Sequence, residues 1–92
     1  MPTYAVRYTY AEDSDQTRDR VRPDHHAYLR SLSELRGSGP FVGGDAGALL
    51  VFETTDAAAL DAILAADPFA HAGVIAATDV REWKIVSGAW SG

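Results

Sequence analysis

The spacing of apolar positions changes along the chain, and each change marks an element. "TYAVRYTY" (Thr3–Tyr10) is rich in β-formers and alternates with period two. Tyr4, Val6, Tyr8 and Tyr10 fall on one face of a strand, and Thr3, Ala5, Arg7 and Thr9 on the other. "AEDSDQTRDRVR" is polar and charged throughout and reads as a loop. Pro23 then suits the first position of a helix, where its missing N–H costs nothing. That helix is expected to run to about Arg36 and to stop at Gly37. Val21, His25, Tyr28, Leu29, Leu32 and Leu35 form its inward stripe at i, i+3 and i+4 spacing.

"GSGPFVGGDAG" (Gly37–Gly47) predicts a short strand near Pro40–Val42 and a tight turn through Gly43–Gly47. "ALLVFE" (Ala48–Glu53) completes that hairpin. Thr55 or Asp56 caps a second helix through Ala66, ended by Asp67 and Pro68 because a residue before proline resists the α region. "PFAHAG" reads as a short turn, "TDVREWKIV" (Thr78–Val86) as the last strand, and the tail from about residue 88 as loose, with Trp90 the one residue in it suited to dock on the domain.

The order is β-α-β-β-α-β over one domain spanning residues 1–92. The economical arrangement is ferredoxin-like: an α+β fold with a four-stranded antiparallel sheet and both helices on one face. "ALLVF" is apolar at every position, so both faces of that strand seek burial. The helices cover only one face. The sheet of a second copy is the simplest cover for the other, which predicts a homodimer.

Charge and composition narrow the function. Thirteen acidic residues stand against eight basic ones, a net charge of −5, whereas sequence-independent binding to nucleic acid or anionic membranes needs a basic surface. The absence of cysteine excludes disulfide scaffolds, thiolate metal sites and thiol nucleophiles. No apolar run approaches a membrane span, and the N-terminus has no basic segment leading into a long apolar one. These features predict a cytoplasmic location.

Two polar residues stand where apolar ones belong. His25 lies inside the apolar stripe of the first helix, while His26 is turned about 100° away. On the second helix Leu60, Ile63 and Leu64 are followed in phase by Asp67, and a buried carboxylate needs a partner or a wet cleft. With His25 in the first turn of one helix and Asp67 at the last turn of the other, the topology brings both to one rim of the sheet. Tyr8, Tyr10 and the glycine turn are expected there too. A carboxylate beside an imidazole fixes its tautomer and suits it to general acid–base work. Arg22 and the free N–H groups at the helix start would hold an anionic group of a substrate.

Other readings stand beside these. His25 reads equally well as a core histidine bonded to a carbonyl, and Asp67 as a cap for the turn that opens with Pro68. The two roles of Asp67 are compatible if one oxygen caps while the other accepts from His25. Adjacent histidines face different ways and no second ligand follows at i+4, so no metal site is expected. The glycine stretch matches no phosphate-binding motif.

"RPDHHAYL" (Arg22–Leu29), "GSGPF" (Gly37–Phe41) and "DPFAHAG" (Asp67–Gly73) together resemble the YciI-like (YCII-related) family of the dimeric α/β barrel superfamily, in matching order across nearly the whole chain. The resemblance implies ferredoxin-like domains that dimerise into an α/β barrel. It implies an active-site cleft lined by a histidine and an aspartate, which fall on His25 and Asp67, with Pro68 and Gly73 as neighbours. His26 departs from a position usually apolar in the family. The resemblance implies no cofactor and leaves the reaction open; elimination on aromatic substrates is among the chemistries the scaffold supports. The expected function is a small-molecule enzyme of lyase, isomerase or hydrolase type with a small anionic or aromatic ligand. The alternative is a non-catalytic dimeric module that binds a ligand or is purely structural.

Overall fold

The alternation of "TYAVRYTY" produces strand β1 (Thr3–Tyr10), which lies inside a four-stranded antiparallel sheet in the computed structural model of residues 1–91. Helix α1 (Asp15–Arg30) follows, then β2 (Leu35–Pro40), β3 (Gly47–Glu53), helix α2 (Ala57–Ala65), a one-turn helix α3 (Pro68–His71) and β4 (Ile75–Glu82). The sheet order is β2-β3-β1-β4, the ferredoxin-like arrangement.

Register explains the core. Tyr4 pairs with Phe52, Val6 with Leu50 and Tyr8 with Ala48, so these side chains share one face, where Leu29 and Leu60 join them. Burial of this apolar surface is the main force holding the fold. The approach of β3 to β1 is close: a Cβ on Gly47 would lie 2.2 Å from the Tyr8 carbonyl oxygen, so only glycine fits there.

Several boundaries differ from the sequence expectation. Helix α1 begins at Asp15, so "DQTRDRVR" is helical and Pro23 sits inside the helix rather than at its first position. The hidden start has a physical reason: the inward positions of the first two turns include Arg18 and Arg22 rather than apolar residues, so no hydrophobic stripe announces them. Pro23 is on the exposed side, where a missing N–H bond is least costly. The helix ends at Arg30, although Leu32 and Leu35 still pack on the core.

Strand β2 accordingly occupies Leu35–Pro40, not Pro40–Val42, with a register irregularity between Leu35 and Gly37. Gly37 is a strand residue opposite Val51, not the end of a helix. The "PFAHAG" turn contains α3, and β4 starts at Ile75 rather than Thr78 and ends before Trp83. The second helix forms as expected, capped by Asp56, whose side chain accepts from the Ala59 N–H at 2.8 Å.

The other sheet face has no helix over it. There Leu49 is 40% exposed, while Trp90 reaches back over Gly37, close enough that a Cβ on this glycine would stand 3.0 Å from the indole. Within the tail Trp90 is thus placed against the sheet, the docking the sequence left open for it; Gly92 lies outside the described residues. Among the described residues no helix is long and apolar enough to cross a membrane, and no buried side-chain nitrogen or oxygen lacks a hydrogen-bond partner.

Candidate active site

The inward side of α1 changes character along its length. Ser14, Arg18, Arg22 and His25 come first, followed by Leu29 in the core. The polar half faces a cavity of about 400 Å³ between α1, α3 and the β2–β3 edge, lined by Arg18, Arg22, His25, His26, Leu50 and Phe69 among others. Because the helix starts at Asp15, His25 lies in its third turn and not its first. The N–H groups at the helix start are therefore two turns away from His25, and guanidinium groups take the place expected for them.

His25 and Asp67, 42 positions apart, meet at 2.7 Å between Nδ1 and Oδ1. Pro68 ends the α2 region and opens α3, and Asp67 is the cap between them. Its Oδ1 also accepts from the Phe69 N–H at 2.9 Å, while Oδ2 accepts from the Tyr8 hydroxyl at 2.9 Å. Capping and imidazole binding thus fall on the same oxygen rather than on separate ones. With 1% of its surface exposed, this carboxylate is satisfied by three donors instead of by water.

Tyr8 was expected in the wall of the cleft. It is 1% exposed and lies behind the carboxylate, with its hydroxyl committed to Asp67. Burial first, and the charge of Asp67 second, hold its phenol far above the usual tyrosine range, so it acts as a fixed donor. Tyr10 and Arg22 do line the cavity. Arg18, read from sequence as part of a loop, lines it as well. Nothing in the local pattern flagged it; only the i, i+4 spacing to Arg22 and the i+3 step to His25 carry that signal.

The imidazole of His25 lies parallel to the Phe69 ring, centroids 3.8 Å apart and planes 2° apart. Asp67 on one edge and Phe69 on one face leave little freedom of rotation. With Nδ1 donating to a carboxylate, the neutral ring carries its lone pair on Nε2. His26 sits at the mouth with its ring centroid 5.6 Å from that of His25. Its protonation is pushed down by partial desolvation first, and then by the positive charges of His25, Arg30 and Arg22. His71, at the end of α3, is exposed and outside the cavity lining. Among the described residues no group of three histidines, aspartates or glutamates is placed to hold a metal ion.

The sheet order and helix placement define a ferredoxin-like α+β domain with a histidine–aspartate pair facing a cavity. More particularly, residues 3–84 match the model of the YCII-related domain, and the chain belongs to that family. It is similar to the 5-chloro-2-hydroxyhydroquinone dehydrochlorinase of Burkholderia phenoliruptrix, solved in complex with 2,5-dihydroxybenzoquinone: 27% identity over 89% of this chain and 93% of that one, with a TM-score of 0.83. A cofactor-independent oxygenase from Streptomyces nogalater shares the fold at 13% identity over 98% and 97% of the two chains, TM-score 0.56. A transcriptional regulator from Neisseria meningitidis, solved with L-methionine, shares it at 18% identity over 98% of this chain and 55% of that one, TM-score 0.64. No curated protein matches the chain.

Proposed function

We propose that this protein is a small-molecule enzyme of acid–base type, catalysing elimination, isomerisation or hydrolysis, with His25 as the proton-transferring group. The observation that carries this reading is the 2.7 Å bond from His25 Nδ1 to the buried Asp67, which leaves Nε2 as the nitrogen available toward the cavity. Asp67 orients the ring and balances the imidazolium that forms when a proton is taken. Tyr8 and the Phe69 N–H hold Asp67 in turn and act as positioning groups. The Phe69 ring stacked on the imidazole holds its plane. The similarity to a dehydrochlorinase makes elimination from a hydroxylated aromatic ring the first reaction to test.

The bare sheet face supports the companion reading of a homodimer. Leu49 is exposed at its centre and Trp83 at its border, while Arg7 and Asp79 flank each other at 3.9 Å. A second copy offers the same apolar patch with the same mixed charges and satisfies both at once.

The test is chloride release from 5-chloro-2-hydroxyhydroquinone, followed by a panel of enolisable acids and esters. Wild-type protein should turn over at least one of these, and His25→Ala should abolish it while keeping the native circular dichroism spectrum. Turnover that survives His25→Ala would refute the assignment. If instead His25→Ala unfolds the domain and no compound in the panel shifts the His25 resonances, the pair serves only to tie α1 to α3.

A further inference from the structure

The cavity has an electrostatic character opposite to that of the chain. Against a net charge of −5, its lining holds Arg18, Arg22, His25 and His26 and no carboxylate among the described residues. We infer that the cavity is built for a small organic monoanion, whose charged oxygens meet Arg18 and Arg22 while an apolar body lies on Leu29, Leu50 and Phe69.

Arg18 is fixed from several sides. Its Nε donates to Ser14 Oγ at 3.0 Å, Ser14 is itself tied to the Ala11 carbonyl at 2.6 Å, and the guanidinium lies 4.5 Å from the centroid of the Tyr10 ring. Asp15 accepts from its outer end. Arg22 donates to Asp19 at 2.6 Å. Both aspartates are exposed and outside the cavity lining, so they aim the guanidinium groups without filling the space in front of them. A guanidinium has five N–H donors, and these contacts use only part of each fork. Arginine that stays charged, is held rigid and keeps spare donors is what carboxylate or phenolate recognition requires.

Spacing sets the size of the ligand. Arg18 and Arg22 are four residues apart and Arg22 and His25 three, so successive groups stand about 5–6 Å apart at Cβ along one helix face. The charged group therefore lies about one helical turn from the atom that meets Nε2. That distance suits a benzoate, a phenolate or a short-chain acid with its reacting atom a few bonds from the charge. Placement of the reacting atom at His25 rests on the acid–base reading above; the anion site does not.

The test compares benzoate, benzamide and benzylamine, three probes of similar shape and different charge, by NMR titration of the whole protein at low ionic strength. Benzoate should shift the Arg18 Nε–H and His25 resonances, bind about tenfold or more tightly than benzamide, and weaken as salt is added. Benzylamine should leave the cavity resonances unmoved. Arg18→Gln with Arg22→Gln should lower benzoate affinity about tenfold or more, whereas His25→Ala should retain most of it. If the double variant melts well below wild type, Arg22→Gln alone, at the more exposed pair, should still weaken benzoate. Equal binding of benzoate and benzamide, unchanged affinity in the arginine variants, or no benzoate shift in the cavity would each overturn the inference. Arginine-dependent benzoate binding in a protein whose turnover ignores His25 would refute the acid–base reading and leave the anion site standing.

Discussion

Replacing Asp67 by alanine removes the acceptor of three separate donors. The His25 Nδ1–H, the Phe69 N–H and the Tyr8 hydroxyl all converge on it, at 2.7, 2.9 and 2.9 Å. A buried donor left without a partner costs about 1–3 kcal/mol. Water entering from the cavity through the space left by the carboxylate would rescue part of this at His25. Tyr8, enclosed by the sheet and helices, is the least accessible to it. A loss of about 3–5 kcal/mol follows, against a total of roughly 5–14 kcal/mol for a domain of this length. Asp67→Asn is a different perturbation. Its carbonyl can keep the Oδ1 contacts, and its amide can donate to the Tyr8 oxygen, so the loss should be only about 1–2 kcal/mol. Urea unfolding followed by far-ultraviolet circular dichroism, at one fixed protein concentration, measures both. An Asp67→Ala variant within about 0.5 kcal/mol of wild type, or an asparagine variant as unstable as the alanine one, would refute the view of Asp67 as a buried hub.

Three further outcomes are expected. Tyr8 retains its proton in the folded state well beyond the pH at which a free tyrosine loses it, so its contribution is complete below about pH 10 and declines above it, by at most about 1.4 kcal/mol per pH unit; Tyr8→Phe should flatten the fall in stability measured from pH 9.5 to 11. Pro23→Ala restores an N–H inside α1 and should raise stability by about 1–2 kcal/mol in urea unfolding; a destabilised variant would mean that the proline fits this helix better than its chemistry implies. Leu49→Asp places a charge on the bare face opposite Gly39 and Arg7, and light scattering should find it monomeric at concentrations where wild type is dimeric; a monomeric wild type would refute the dimer reading.

Strong periodicity made much of this fold legible. Strand β1 and helix α2 stand where alternation and capping put them, and the phase of α1 singled out His25 because "HHAYLRSL" carries a clear apolar stripe. The start of α1 was hidden because a helix that lines a cavity has no reason to be amphipathic in the usual sense. Proline reinforced the error, since its commonest helical position is the first turn. The shift of β2 from Pro40–Val42 to Leu35–Pro40 is a tertiary effect: β3 supplies the partner strand along "RGSGP", and Trp90 lies over Gly37. Arg18 and the role of Tyr8 were out of reach for the same reason. Tyr8 takes its meaning from Asp67, 59 positions away, and Arg18 from a cavity wall that exists only once α1, α3 and the sheet are assembled.

The site and the fold share their bonds, which bears on how function can be dissected. Asp67 simultaneously caps α3, braces Tyr8 on β1 and orients His25 on α1, so any change to it moves stability and imidazole geometry together. Tyr8→Phe deletes one donor and leaves the imidazole bond in place, loosening the carboxylate without removing it. His25→Ala removes the proton carrier but leaves the cap and the Tyr8 contact intact. A catalytic role for His25 thus predicts that the two properties separate: large loss of turnover with small loss of stability at His25, and the reverse ordering at Tyr8. A purely structural pair offers no such separation, because every substitution would then be felt through the same unfolding equilibrium.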